Sequence, residues 1–131
     1  MQFLIHGDIA AKPGAAALGR HSHRAVQPDA DQPSLPSTAD AAGRAEFFAL
    51  LAKNQWELIT SDADLIHRLY DEKIHFNRTI VLLVANVTAD PAEAIDRLFA
   101  RYPRLSAWRL YTLTAGRVKI RQLPGAAGKL K

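Results

Sequence analysis

The sequence predicts one α/β domain: a parallel sheet flanked by helices and closed by a C-terminal β-hairpin. Three observations carry this. Apolar runs at 2–6, 56–60 and 79–84 are too short for core helices and match buried strands. The stretches between them have helical spacing and capping residues. The segment 108–123 (WRLYTLTAGRVKIRQL) reads as two strands around Thr114-Ala115-Gly116. Strands that alternate with helices imply parallel pairing, with helices on both faces of the sheet.

Taken in order, QFLIH (2–6) is a short buried strand that ends at Gly7-Asp8. The Ala-rich AKPGAAALGR (11–20) suits a short helix, with Pro13 acceptable only in its first turn. HRAVQ (23–27) is a weaker strand. PDADQPSLPST (28–38) holds three prolines and no apolar period, so it reads as a mobile loop. From Asp40 to Lys53, Ala45, Phe48, Ala49, Leu51 and Ala52 recur at helical spacing. Trp56–Thr60 is a strand and 62–71 a helix. TIVLLV (79–84) is a continuous apolar run, as in a central strand covered on both faces. The next helix runs to Arg101, with Asp90 as cap, Pro91 at its first position and Glu93 three residues after the cap. The domain spans 1–123, and 124–131 (PGAAGKLK) reads as a flexible basic tail.

At 131 residues the chain is long enough for one core, with 48% hydrophobic and 23% charged residues. Its formal net charge of +4 is compatible with a polyanionic partner. The absence of cysteine excludes disulfides, thiolate metal sites and a cysteine nucleophile. MQFLIHGD lacks a basic n-region and its apolar run is short for a signal peptide, and no segment has the length of a membrane span. The expectation is a cytoplasmic protein with no membrane partner. No Gly-rich loop follows the first strand, so dinucleotide and P-loop sites are unsupported. No serine sits in a nucleophile elbow. His6-Gly7-Asp8 lacks the Asn-His and Gly-His pairs of metallophosphoesterases.

Candidate chemistry centres on carboxylates at strand ends, where open α/β sheets bind ligands. Asp8 follows the first strand, and Asp62 and Asp64 follow the strand at 56–60. If those strands are neighbours the carboxylates converge, and Glu46 joins them if its helix starts at the same rim. Clustered carboxylates repel one another, which Mg²⁺ or Mn²⁺ relieves. Asp62 reads equally as the N-cap of the helix it precedes, and Asp64 as a first-turn residue that offsets the dipole. Arg117, Lys119 and Arg121 alternate with Val118 and Ile120, giving the last strand a basic face. That face suits either solvent and edge protection or a phosphate backbone. His6 reads as a structural strand-end residue, and His21-Ser22-His23 is too short for a metal motif. Trp56 and Trp108 read as core or interface residues. Leu65, Tyr70 and Tyr102 are candidate exposed interface positions.

MQFLIHGD, AEFFALLAKNQWELITSDADL and the closing GRVKIRQLP together resemble the PIN domain superfamily, in particular its small stand-alone bacterial proteins of uncharacterised function. The likeness covers most of the chain and is weakest over 28–38. Its most specific part is Thr60-Ser61-Asp62-Ala63-Asp64-Leu65. The resemblance implies a PIN-like fold and a Mg²⁺- or Mn²⁺-dependent ribonuclease, a hydrolase of phosphodiesters, with an antitoxin-like protein as a partner in toxin–antitoxin pairs. Asp62 and Asp64 match the motif directly. His6 stands where that branch has its first Asp, Asp8 where it has Asn, Gly43-Arg44 where it has Ser-Asp, and Leu65 where it has Phe, while Glu46 falls on an acidic position. On this reading Asp8, Asp62 and Asp64 are catalytic, and with Glu46 they hold the metal. Arg117, Lys119 and Arg121 contact RNA. The alternative is a catalytically silent relative that binds nucleic acid or protein, or forms a homodimer.

Overall fold

The computed structural model describes residues 1–6, 11–26, 35–84, 90–114 and 117–124. The elements follow the predicted order: β1 (Gln2–His6), α1 (Ala11–Arg20), β2 (Arg24–Val26), α2 (Ala41–Lys53), β3 (Glu57–Thr60), α3 (Ala63–Asp71), β4 (Ile80–Leu83), α4 (Pro91–Arg101), β5 (Arg109–Thr114) and β6 (Arg117–Gln122). They form one six-stranded sheet in the order β2-β1-β3-β4-β5-β6. All neighbours are parallel except β5 and β6, which are antiparallel as expected of a hairpin.

Period-two alternation divides the strand residues between two cores. Phe3, Ile59, Val81, Tyr111 and Leu113 point to one face, where α1 supplies Ala17 and Leu18 and α4 supplies Ile95, Leu98 and Phe99. Leu4, Leu58, Ile80, Leu82 and Leu110 point to the other, against Phe47, Phe48 and Leu51 of α2 and Leu65, Ile66 and Leu69 of α3. Two covered faces explain why β3 and β4 are buried along their whole length, Glu57 and Thr60 at the ends of β3 included. Leu65, one of the candidate interface positions, is 2% exposed and belongs to this second core. Its spacing with Ile66 and Leu69 marks the inner stripe of α3. Trp56 is also buried in the second core, and Tyr102 packs half-buried against the first.

The helices start where side chains can satisfy their first N–H groups. Asp40 accepts from Gly43 N at 2.7 Å, Asp62 from Leu65 N at 3.1 Å, and Asp90 from Ala92 N at 3.0 Å.

Strand order and helix placement together fix an unusual feature. The steps β1 to β2, β2 to β3 and β3 to β4, with α1 on the first face and α2 and α3 on the second, all share one hand. The step from β4 to β5 runs in the same direction as β3 to β4, yet α4 lies on the opposite face from α3. The last crossover therefore has the opposite hand. Parallel crossovers are right-handed in about 98% of cases, which assigns the rare hand to β4-α4-β5. The consequence is spatial: α4 pairs with α1, and among the described elements no helix follows α3 across the second face of β5 and β6.

Candidate functional site

The chain reverses its direction along the sheet at β1. β2 lies on one side of it and β3 on the other, so the crevice between the carboxyl ends of β1 and β3 is the topological switch point. The register pairs His6 with Thr60, the last residue of each strand. Their side chains meet, with Nδ1 of His6 2.9 Å from Oγ1 of Thr60. The same oxygen accepts the N–H of Asp62 at 3.0 Å. Phe47 of α2 packs against the imidazole at 5.3 Å between ring centroids. Burial lowers the His6 pKa below the ordinary 6.5, and the Asp62 carboxylate opposes that shift in part. The rim thus holds a neutral imidazole, a fully buried hydroxyl and a carboxylate within one hydrogen-bonded unit.

The predicted carboxylates have different fates. β1 and β3 are neighbours, as their convergence requires. Asp8, however, lies outside the described residues. Asp62 is at the rim as the N-cap of α3, with Oδ1 taken by Leu65 N. Asp64 is in the first turn of α3, with its side chain 80% exposed and 3.9 Å from Arg68. Its other electrostatic neighbour is Arg44. Phe47, midway along α2, reaches the rim, but the adjacent Glu46 is exposed. Among the described residues no three His, Asp or Glu side chains could share a metal ion. The donor set expected for Mg²⁺ or Mn²⁺ is therefore not assembled from Asp62, Asp64 and Glu46.

Gly43-Arg44, which stands where the PIN motif has Ser-Asp, is structural. Arg44 is buried and donates through Nε to both carboxylate oxygens of Glu72, at 2.9 and 3.1 Å, and through Nη1 to the Thr38 carbonyl at 3.0 Å. The Arg44 guanidinium holds the Glu72 carboxyl below its usual range. Gly43 is required by close approach, since a Cβ there would stand 1.9 Å from the Ser37 carbonyl oxygen.

The basic strand lies at the sheet edge. Arg117, Lys119 and Arg121 are exposed, and among the described residues none pairs with a carboxylate. The register places Lys119 beside Thr112 and Arg121 beside Leu110, on the face that α4 leaves uncovered. Arg121 stacks over the Tyr70 ring at 4.3 Å, and the Tyr70 hydroxyl donates to the Gln122 carbonyl at 2.7 Å. Between α3 and this edge runs a cleft of about 380 Å³, with Ile66, Leu82 and Leu110 as its floor and His67, Thr112 and Arg121 at its rim. The sequence signals the basic row but not the cleft, which depends on the side to which α4 folds.

Sequence reasoning names Thr60 as a motif residue but gives it no role in the site. Its position as a strand terminus, matched to His6 at the end of the first strand, is the available signal. Nor does it single out Arg97 and Arg101. Among the described residues no helix is long and apolar enough to cross a membrane. No protein-family model, curated protein or solved structure matches this chain.

Proposed function

We propose that the chain is a nucleic-acid-binding α/β module that holds the sugar–phosphate backbone along the uncovered face of its β5–β6 edge. One observation carries the reading: Arg121 lines the cleft beside α3 opposite Asp71, Lys119 sits next along the same face beside Thr112, and neither cation has a carboxylate partner among the described residues, on a face where a right-handed crossover would have set a helix. The Tyr70 ring, already stacked under one guanidinium, adds an aromatic surface at the strand's edge. Backbone binding releases counterions, so affinity must fall steeply with salt, with a log–log slope of about −0.7 per phosphate contacted on single strands. Fluorescence anisotropy with a labelled single-stranded RNA, titrated across salt, tests this. Lys119→Gln/Arg121→Gln is expected to weaken binding and flatten the slope. An unchanged slope in that variant, or no binding by the wild type, refutes the reading.

A second reading is phosphodiester hydrolysis at the β1–β3 rim by a Mg²⁺- or Mn²⁺-dependent ribonuclease, with RNA and an antitoxin-like protein as its partners. It is favoured by the Asp62 carboxylate facing His6 at the switch point. Because the described donors do not form a metal site by themselves, this reading depends on Asp8 supplying a second carboxylate. Such a metal, when bound, would activate water and stabilise phosphoryl charge. Asn caps a helix as well as Asp, so Asp62→Asn removes the ligand charge and keeps the cap. If Mn²⁺ raises the melting temperature of wild type but not of Asp62→Asn, the metal reading stands. If millimolar Mn²⁺ moves neither, it falls and the binding module remains.

A further inference from the structure

The row of cations on β6 has a counterpart on the other face of the sheet. Val118 turns inward there to pack on the first core, and beside it a groove of about 250 Å³ runs between α4 and the β5–β6 hairpin. Arg97, Arg101 and Arg117 line it, together with Leu98, Leu113 and Thr114. Arg97 and Arg101 are one helical turn apart, so their side chains leave the same stripe of α4. Arg97 has an exposed carboxylate partner, Glu93, at the long distance of 3.8 Å. Arg101 lies 5.4 Å from the Tyr102 ring centroid. Among the described residues no carboxylate pairs with Arg101 or Arg117. The other acid nearby on α4, Asp96, is occupied by Arg20 and His21 at 2.7 and 3.0 Å.

We infer that this groove is a second phosphate-binding site, which receives the phosphodiester backbone of a nucleic-acid strand that passes round the β6 edge. This deepens the nucleic-acid reading above and rests on it. The chemistry of the lining favours phosphate over base. Its floor is aliphatic, with no ring on which a base could stack. Its walls carry guanidinium forks, which match phosphate oxygens in bidentate fashion and stay charged at every working pH. Arg117 stands at the hairpin end of the same strand that carries Lys119 and Arg121. The groove therefore continues the basic row from one face to the other rather than forming an isolated patch. An acidic peptide also carries repeated negative charge, but the regular one-charge-per-residue spacing of a nucleic-acid strand fits two cation groups linked by a single edge strand.

The test is anisotropy of a labelled single-stranded RNA against wild type, Arg97→Gln/Arg101→Gln, and Lys119→Gln/Arg121→Gln, with melting curves to show that each variant is folded. The α4 variant is expected to bind roughly tenfold more weakly at physiological salt and to lose about 1.4 from the log–log salt slope, as removal of two phosphate contacts requires. Binding of the α4 variant equal to wild type, while the β6 variant is impaired, overturns the groove and spares the module. No binding by wild type overturns both. Displacement of the RNA by poly-glutamate at equal charge concentration, lost in the α4 variant, identifies an acidic-protein site and also overturns the inference.

Discussion

The His6 imidazole and the Thr60 hydroxyl, 54 residues apart in the chain, meet at 2.9 Å across the carboxyl ends of β1 and β3. Neither residue is chemically unusual at a strand end. Their parallel register makes them a pair, and the Asp62 N–H on the same hydroxyl oxygen ties that pair to the start of α3.

Thr60→Val tests that tie. Thr60 is fully buried, and valine keeps its shape while removing the only oxygen that serves both His6 and the Asp62 N–H among the described contacts. A buried group left without its partner costs about 1–3 kcal/mol, so urea denaturation should show a loss of that size. Thr60→Ser keeps the oxygen and should recover more than half of it. Equal losses in the two variants would assign the effect to packing instead.

Two helical glycines should respond to alanine with opposite signs. Gly19, in α1, has nothing within 4 Å of the place an alanine methyl would take, so Gly19→Ala should stabilise by up to about 1 kcal/mol through helix propensity. Gly43, in the first turn of α2, would put its Cβ 1.9 Å from the Ser37 backbone oxygen and 3.0 Å from the capping Asp40 Oδ1. Gly43→Ala should therefore destabilise despite the same propensity gain, and melting curves of the two variants should move in opposite directions.

Acid should weaken the fold in two separable windows. His23 is 8% exposed between the Phe3 and Phe99 rings, at 5.7 and 4.3 Å, and neither of its nitrogens completes a hydrogen bond. Burial lowers its pKa, as do the chain's amino terminus and His21, and the Pro103 carbonyl offsets this only in part. The His6 pKa is lowered as well. A lowered histidine pKa means that protons prefer the unfolded chain. Stability is thus complete above the ordinary 6.5 and declines as pH falls from there towards the folded values. Glu72 has the complementary behaviour of a carboxylate held low by Arg44, with its contribution present above the ordinary 4.5 and lost as pH falls through the folded value. His23→Leu should shrink the first window to the part that His6 contributes and leave the second, as read by urea midpoints between pH 7 and 3.

The element order is legible because each strand and helix carries its own local signal. The apolar runs of β3 and β4, Asp90 before Pro91, and the periodic stripe of α2 are all contained in short stretches of sequence. The carboxyl-rim location follows from the alternation of elements alone. What local pattern does not encode is the side to which a crossover folds. Nothing in PAEAIDRLFAR distinguishes packing on α1 from packing beside α3, because its apolar stripe suits either face. The cleft near Arg121 and the groove at Arg97 both follow from that choice, so neither can be read in advance. Leu65 is misplaced for a related reason: as a stand-in for a motif residue it draws attention away from its phase with Ile66 and Leu69, which places it in the core. Asp62 has two readings that spacing alone does not separate, and the hydrogen bond to Leu65 N establishes the capping role.

That capping role separates two aspartates that the motif treats as equals. Asp62 satisfies an otherwise orphaned N–H at the start of α3, so Asp62→Ala should cost about 1 kcal/mol. Asp64 makes one long, exposed contact with Arg68 at 3.9 Å, and pairs of that kind contribute about 0.3–0.5 kcal/mol in a helix. Asp64→Ala should fall within that smaller range, and Asp62→Asn should match wild type because asparagine caps equally well. Guanidinium denaturation of the three variants resolves the order. A loss in Asp64→Ala as large as that in Asp62→Ala would contradict the division, and would mean that Asp64 has a stabilising partner beyond Arg68 and Arg44.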